Sequence, residues 1–228
     1  MKAWNLISLT EARRLAVEAL AAAPRQTEQV GLRQALGRIA ACDMINAEDN
    51  PAFDRSTVDG YAVRSQDLAA ASAVTPVSLR LVGEVRMGRG YDGKISTGEA
   101  VRIPTGGMLP DGADAVLMQE YTAVGVAETV LAGRSVASRE NMVVRGDDVT
   151  AGTVVLAAGS KIGVPDLGVL ASCGVARVPA IKKPVVTVVT TGDEIIPPEA
   201  TPLPGQIRDV NSFTLAALAE LAGCQVIQ

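Results

Sequence analysis

The stretch Asn50-Pro51-Ala52-Phe53-Asp54-Arg55-Ser56-Thr57-Val58-Asp59-Gly60-Tyr61-Ala62-Val63 separates two kinds of sequence in this chain of 228 residues. Before it, apolar residues recur at helical spacing, and after it short β-type runs alternate with Gly-containing turns. The Asn-Pro pair indicates a turn, because the residue before a proline avoids the helical region. We therefore predict a domain boundary at residue 51 and a β-rich domain that begins at residue 52.

The part before this boundary is predicted to contain two helices. Ser8-Leu9-Thr10-Glu11 has the spacing of a capping box, and apolar residues follow at helical spacing as far as Pro24. A second, shorter helix is predicted across Leu32 to Ala40.

The part after the boundary, residues 52–146, is predicted to be a compact β domain inserted into the chain. Its runs are typical of strands, and each turn signal contains glycine. The strand runs are Val77 to Val85, Ala100 to Ile103 and Ala115 to Gln119, and the turns are Asp92-Gly93, Gly106-Gly107 and Asp111-Gly112.

Helix signals return after Thr150. A strand is predicted at Thr153 to Leu156, a short helix opens at Pro165 and ends at Gly174, and another strand covers Val175 to Val178. We assign residues 147–180 to the same domain as residues 1–51, on the two sides of the inserted β domain.

The last segment, residues 181–228, has the pattern of a βαβ unit. Pro184 to Thr190 is typical of a buried parallel strand, and a helix follows that Asn211 or Ser212 caps and Gly223 ends. Cys224 to Ile227 begins a second strand. Since a two-stranded parallel sheet leaves its edges and one face uncovered, we expect an incomplete α/β domain here and more chain after Gln228.

Composition excludes several classes of function. The net charge of −4 argues against a nucleic-acid partner, and no apolar run approaches the roughly 20 residues of a membrane-spanning helix. Charged residues interrupt any signal-peptide core near the start, so we expect a cytoplasmic protein. There is no histidine, which excludes a Ser-His-Asp triad and a histidine zinc site, and the three scattered cysteines are expected to be small buried residues. Metal chemistry would need carboxylates, which favour a hard cation such as magnesium.

Three polar segments allow either a structural or a ligand-binding interpretation. Ser56, Thr57 and Asp59 form a turn into a strand, or a patch that binds an oxyanion or a cation. Thr105-Gly106-Gly107 forms a hairpin loop, or presents its N–H groups to an anion. Thr191-Gly192-Asp193-Glu194 is a solvated loop, or a ligand site at the carboxyl end of a parallel strand.

Taken in order, these segments resemble the MoeA family, the molybdopterin molybdenumtransferases, whose eukaryotic relatives include the E domain of gephyrin. Each motif is weak alone, but the ordered set spans nearly all of the chain. The matching segments are Phe53-Asp54 with Ser56 and Asp59 to Val63, Arg102-Ile103 with Thr105-Gly106, Gly112 to Val116, Arg145 to Asp148 with Ala151-Gly152, Thr190 to Glu194, and Gly205 to Ile207 with Asp209 and Asn211.

The resemblance implies a mixed α/β, multidomain, homodimeric protein. A first, elongated dimerisation domain would consist of residues 1–51 and 147–180, with the β domain inserted between them. Residues 181–228 would begin a molybdopterin-binding α/β domain. The activity implied is the insertion of molybdate into adenylylated molybdopterin with release of AMP, with magnesium as cofactor and other molybdenum cofactor biosynthesis proteins as further partners. Because the rest of the third domain and a fourth domain lie outside these residues, the 228-residue chain alone is expected to be inactive.

The resemblance matches Asp59, Thr105, Asp148 and Glu194 to functional positions of the family, and the segments above supply the other candidate site residues. Asp59 and Glu194 are predicted to be catalytic and to bind the metal, within one subunit or across a dimer interface. Substrate binding is assigned to Ser56, Thr105, Gly106, Gly107, Arg145 and Asp148. Val143-Val144 stands where many members carry arginines, which weakens an anion contact there. Two alternatives stay open, a gephyrin-like scaffold protein and a non-catalytic remnant of the family.

Overall fold

A computed structural model describes residues 7–21 and 23–227, so the predictions that concern the first six residues, Ala22 and Gln228 lie outside the described part. The chain divides into two compact units. The first consists of Met1–Met44 with Leu156–Gln228, and the second is Ile45–Val155. The predicted insertion at 52–146 lies inside the second unit. The division at residue 181 stays a prediction. In the described ranges, none of the helices has the length and apolar character needed to cross a membrane.

The secondary structure consists of few helices and many short strands. The helices are α1 (Leu9–Ala21), α2 (Val164–Ser172) and α3 (Asn211–Leu221), with 3₁₀ turns at Leu32–Ala35, Ser65–Leu68 and Gln119–Tyr121. The strands of the second unit and its borders are β2 (Met44–Ile45), β3 (Arg55–Ser56), β4 (Gly60–Val63), β5 (Val77–Glu84), β6 (Glu99–Ile103), β7 (Ala115–Met118), β8 (Thr122–Val124), β9 (Thr129–Ala132), β10 (Met142–Val143) and β11 (Val154–Leu156). The strands of the first unit are β1 (Thr27–Gly31), β12 (Arg177–Ile181), β13 (Val185–Thr187), β14 (Ile195–Ile196), β15 (Ile207–Arg208) and β16 (Gln225–Ile227).

The second unit is organised around a six-stranded mixed sheet in the order β7-β4-β6-β5-β9-β8. Strands β5 and β6 are parallel, and the other neighbours are antiparallel. Apolar clusters pack on both faces of this sheet, one around Leu68, Leu79 and Leu117 and the other around Ile95 and Ile103. The strands predicted at residues 77, 100 and 115 are confirmed, and the sheet that they build supplies the core of this unit.

Two parts of the first unit follow the sequence closely. Strands β1 and β12 pair antiparallel from Thr27↔Ile181 to Gly31↔Arg177. Helix α2 begins beside Pro165, and Gly163 donates its N–H to Asp166 Oδ2 at 2.7 Å, which satisfies one free donor near the helix start. Gly174, with φ of 74°, follows the helix end as predicted.

The predicted βαβ unit is present. Strands β13 and β16 are parallel, from Val185↔Gln225 to Thr187↔Ile227, and α3 connects them. The helix buries only Ala216, while Leu215, Leu218 and Leu221 are exposed.

The structure corrects two expectations about the first unit, the second helix and the burial of the cysteines. The N–H of Glu11 donates to Ser8 Oγ at 3.2 Å, as the capping box predicts, but α1 buries none of its residues. The second helix, predicted across Leu32 to Ala40, is wrong: only a 3₁₀ turn forms, at Leu32–Ala35. The chain turns away because Gly37 takes a φ of 74°, and Ile39 then forms a strand-like bridge with Lys161. None of the three cysteines is buried as predicted, since Cys42 is exposed and Cys173 and Cys224 are only partly buried.

Candidate functional site

A tight turn places Asp59 at the entry to strand β4. Ser56 is buried, and its Oγ donates to the carbonyl of Val58 at 2.6 Å and accepts the N–H of Val58 at 3.2 Å. A serine hydroxyl that bonds the backbone two residues on is a common way to close such a turn. Ser56 therefore shapes the loop, and its side chain is satisfied within the protein.

Asp59 receives two hydrogen bonds from one residue of a neighbouring loop. The N–H of Thr105 donates to Asp59 Oδ1 at 2.7 Å, and Thr105 Oγ1 donates to the same oxygen at 2.8 Å. These bonds, first the backbone one and then the hydroxyl, hold the pKa of Asp59 below its usual value, aided by the charge of Arg102 and opposed by partial burial. Asp59 is therefore a stable carboxylate, and the geometry joins two of the predicted site residues.

The glycines next to Thr105 have a different role from the predicted one. Gly106 donates its N–H to the carbonyl of Ser56 at 2.8 Å, and Gly107 donates to the carbonyl of Pro104 at 2.9 Å. Gly106 has a φ of 80°, a conformation that favours glycine. Both amides thus donate to backbone carbonyls, Gly106 to that of the Ser56 loop and Gly107 within its own loop, and are not available to an anion in this arrangement. Their contribution is to hold Thr105 against Asp59.

A cleft of 170 Å³ lies beside Asp59 and contains residues that sequence reasoning did not select. Its polar walls are Asp59, Glu84, Arg102 and Gln119. The sheet register explains the grouping, because Glu84 on β5 is paired with Arg102 on β6, and the N–H of Gln119 donates to the carbonyl of Asp59. Arg102 makes no ion pair within the part of the chain that the structure describes, which leaves its guanidinium available to a ligand.

One sequence signal for Arg102 was present. It is a charged residue between the apolar residues Val101 and Ile103, just before the loop that contains Thr105. No comparable signal existed for Glu84, since the pairing of β5 with β6 is a tertiary fact.

Arg145 and Asp148 lie in the same unit, in a segment that pairs with the segment before the Ser56 loop. Strand β3 pairs with β10, with Arg55 opposite Val143, and the N–H of Arg145 donates to Asp54 Oδ1 at 2.8 Å. Arg145 Nε also donates to Asp49 Oδ2 at 2.8 Å, and Asp148 Oδ2 lies 3.9 Å from Arg55 Nη2.

Asp49 fastens this loop. The N–H of Ala151 is the largest cause that holds the pKa of Asp49 below its usual value, and the hydrogen bond from Arg145 is the second. One N–H of the Arg145 guanidinium is therefore already hydrogen-bonded to Asp49, while the carboxylate of Asp148 is exposed.

Glu194 belongs to the first unit. It is exposed, immediately precedes β14, and its carbonyl accepts the N–H of Ile207 at 2.8 Å. A neighbouring pocket of 470 Å³ includes Thr190, Asp209 and Ser212 among its walls. Asp209 accepts hydrogen bonds from the hydroxyl and N–H of Ser212 and from Thr190 Oγ1, and these bonds hold its pKa below the usual value. Asp209 was part of the motif pattern but had no predicted role.

The described ranges contain no group of three or more acidic or cysteine side chains close enough to enclose a metal ion. Magnesium, however, commonly takes one or two protein carboxylates and completes its shell with water and substrate phosphates. Asp59, with Glu84 in the same cleft, is compatible with that mode of binding.

Comparison with known proteins places this geometry in a family. The family model described as MoeA N-terminal region (domain I and II) matches residues 7–174. This chain belongs to the MoeA N-terminal family. The predicted resemblance is thereby confirmed.

Individual relatives agree with the family assignment. A protein of Haemophilus influenzae named molybdopterin molybdenumtransferase is 36% identical over 97% of this chain and 54% of its own length. One of Staphylococcus aureus with the same name is 36% identical over 86% of this chain and 47% of its own. The chain thus spans about half the length of the curated relatives it matches.

Solved structures of MoeA share the fold. The crystal structure of the molybdopterin biosynthesis MoeA protein from Pyrococcus horikosii superimposes with a TM-score of 0.83 at 36% identity. The match covers 94% of this chain and 55% of that one. A second structure of the MoeA protein from Pyrococcus horikoshii OT3 gives 0.81, also at 36% identity, over 89% of this chain and 54% of that one. The mixed α/β class and its mixed sheet with few helices are therefore shared with MoeA.

Proposed function

We propose that the protein containing this sequence inserts molybdate into adenylylated molybdopterin and releases AMP. The observation that carries the proposal is the Asp59 and Thr105 pair beside a cleft lined by Arg102, in a chain whose relatives are named molybdopterin molybdenumtransferases. The same activity follows from the ordered motifs.

Asp59 is the central residue of the proposed site. It is a carboxylate at neutral pH, and with both Thr105 bonds on Oδ1, Oδ2 makes no hydrogen bond within the described ranges. That oxygen suits magnesium, and Glu84 offers a second carboxylate from the adjacent strand. Bound magnesium would polarise the phosphoanhydride of the substrate towards water.

Arg102 supplies the positive charge that an anionic substrate needs next to two carboxylates. A guanidinium presents paired N–H donors that match the oxygens of phosphate or molybdate. In this assignment Asp59 and Glu84 hold the cation, and Arg102 orients the anion.

The remaining site predictions become parts of the same proposal. Thr105 fixes the carboxylate of Asp59, and Ser56, Gly106 and Gly107 support the two loops. Arg145 and Asp148 contact substrate from the loop that Asp49 fastens. Glu194 is assigned to the same reaction as a second catalytic carboxylate on the strength of its motif.

The wider context of the reaction is also a proposal. We propose a cytoplasmic homodimer that works with other molybdenum cofactor biosynthesis proteins, because the family resemblance implies this organisation. A gephyrin-like scaffold and a non-catalytic remnant remain the competing functions. A scaffold would not release AMP, and a remnant would neither release AMP nor depend on Asp59.

The experiment is Asp59→Asn in the full-length protein, with release of AMP from adenylylated molybdopterin measured with and without molybdate. Asparagine keeps an acceptor for Thr105 but removes the charge, so we expect activity to fall at least about 100-fold, with only the small loss of stability that removal of a hydrogen-bonded carboxylate causes. Asp92→Asn, in an exposed turn, removes the same charge outside the cleft and should leave AMP release unchanged. Normal molybdate-dependent AMP release by Asp59→Asn would remove Asp59 from the site, and none from the wild-type protein would refute the proposed activity.

A further inference from the structure

A second pocket, in the unit formed by Met1–Met44 and Leu156–Gln228, concentrates positive charge. It has a volume of 480 Å³, and no acidic residue lines it. The chain as a whole has a net charge of −4, yet every lysine other than Lys2 and Lys94 lines this pocket. Its cations are Arg38, Lys161, Lys182 and Lys183.

Three chain segments converge to bring these cations together. Ile39 forms a bridge with Lys161 on one side, where the N–H of Ile162 donates to the carbonyl of Arg38 at 2.9 Å. On the other side the N–H of Ile181 donates to the carbonyl of Ile39 at 2.8 Å, immediately before Lys182 and Lys183. The backbone hydrogen bonds therefore fix the positions from which all four side chains start.

Most of this positive charge is not neutralised by the protein. Arg38, whose side chain is only 10% exposed, donates through Nη2 to Glu28 Oε1 at 2.5 Å and to the carbonyl of Ile181 at 2.8 Å. Lys182 Nζ donates to the neutral amide oxygen of Gln26 at 3.1 Å. Lys161 and Lys183 make no ion pair within the ranges that the structure describes. In the described ranges, only Arg38 of the four cations is paired with a carboxylate, that of Glu28.

The end of helix α3 also borders the pocket, and helix C-termini attract cations. The last turn is already closed, however, because Gly223 donates its N–H to Glu220 and Cys224 donates to Ala219 at 3.0 Å. Helix capping therefore does not account for the cluster of lysines.

We propose that this pocket binds a small organic phosphate, a site that goes beyond the proposed function and does not depend on it. The phosphate would contact Lys161 and Lys183 beside the buried guanidinium of Arg38, since ammonium and guanidinium groups bind phosphate oxygens strongly. Leu36, Ile39, Ile181 and Leu221 form apolar walls for the organic part. The volume is within the range of about 300 to 1,000 Å³ typical of small-molecule pockets.

The test measures binding of 1-naphthyl phosphate to the protein by calorimetry, with 1-naphthol and inorganic phosphate as partial probes. We expect the complete probe to bind more tightly than either part, and to weaken as salt is added. The double variant Lys161→Gln/Lys183→Gln should bind about 100-fold more weakly, about tenfold for each lost charge-assisted contact. Lys161→Arg/Lys183→Arg keeps both charges and should retain binding, which separates lost charge from lost fold.

The matched control is Arg89→Gln/Lys94→Gln, which removes two positive charges from exposed positions of the other unit. It should leave binding unchanged. Equal weakening in this control would show a long-range charge effect and overturn the site. The site would also be overturned if the wild-type protein did not bind 1-naphthyl phosphate, or if the Lys161→Gln/Lys183→Gln variant bound it as tightly as the wild type. Equal affinity for 1-naphthol would overturn the role of the phosphate, and equal affinity for inorganic phosphate would overturn that of the apolar walls.

Discussion

The six-stranded sheet of Ile45–Val155 and the β13-α3-β16 segment are both rich in apolar residues, but only the first encloses them. In the sheet, Val63, Val101 and Leu117 are fully buried, with apolar clusters on both faces. In the βαβ segment, Leu218 is 62% exposed and Leu221 is 85% exposed. In the described residues, β13 and β16 pair only with each other.

The difference shows that apolar composition does not by itself produce a core. Burial requires enough strands to extend the sheet and enough chain to cover both of its faces. The second unit meets both conditions within its own residues, and the proposed Asp59 site lies beside that sheet. Three measurements follow that break or sharpen this comparison.

The largest effect is expected from Gly60→Ala in the central strand β4. A Cβ at this position would lie 2.1 Å from the carbonyl oxygen of Leu117 on the neighbouring strand, so the β4-β7 ladder would have to separate. We expect a loss of about 4 kcal/mol in the free energy of unfolding, measured by urea denaturation.

Gly223→Ala is the matched change beside the βαβ segment. A Cβ at this position would meet only open space, but the φ of 89° disfavours alanine. The free energy of unfolding should therefore fall by about 1 kcal/mol. If Gly60→Ala cost no more than Gly223→Ala, the close pairing of β4 with β7 would be disproved.

A smaller contrast is expected between two leucines. Leu117→Ala empties a fully buried site and should cost about 3 kcal/mol, whereas Leu218→Ala, in the exposed face of α3, should change stability by less than about 0.5 kcal/mol. The comparison uses the same urea unfolding experiment. A large cost for Leu218→Ala would mean that another part of the protein covers α3.

The smallest effect concerns two aspartates, Asp49 in the sheet unit and Asp209 in the βαβ segment. Hydrogen bonds lower the pKa of both aspartates from the usual 3.8. The largest contribution comes from the N–H of Ala151 for Asp49 and from the hydroxyl of Ser212 for Asp209. A lowered folded-state pKa stabilises the fold above pH 3.8, and this stabilisation disappears as the pH falls through the folded-state value. Asp49→Asn and Asp209→Asn should therefore be less stable than wild type at pH 6, with the gap closing towards pH 2.

Hydrogen exchange of the backbone amides locates each effect. Asp49→Asn should speed exchange in the 145–151 loop, and Asp209→Asn should speed it at the start of α3. The control is Asp92→Asn, whose carboxylate makes no hydrogen bond in the described part of the chain. It should be as stable as the wild type at pH 6. A constant gap for Asp49→Asn or Asp209→Asn from pH 6 to pH 2 would refute the ionic origin of its contribution.

Local patterns predicted most of the secondary structure. Strands near residues 77, 100 and 115, the helix that Pro165 opens, and the βαβ order after residue 184 are all present. The helix predicted over Leu32 to Ala40 was wrong because backbone pairing of Ile39 with Lys161 outweighs a weak helical periodicity. The Gly106 and Gly107 amides were assigned to an anion, whereas neighbouring carbonyls occupy them.

The sequence by itself determined the family and the order of the elements, and it pointed to Asp59 and Thr105 as candidate site residues, because turns, caps and alternation are local and the motifs occur in a fixed order. Only the tertiary structure decided that Thr105 donates twice to Asp59, that Arg102 lies beside Glu84, and that Arg38, Lys161 and Lys183 share a pocket. These groupings depend on strand pairing between residues far apart in the chain. Strand register is set by packing and burial of the whole sheet, and no short segment of sequence encodes it.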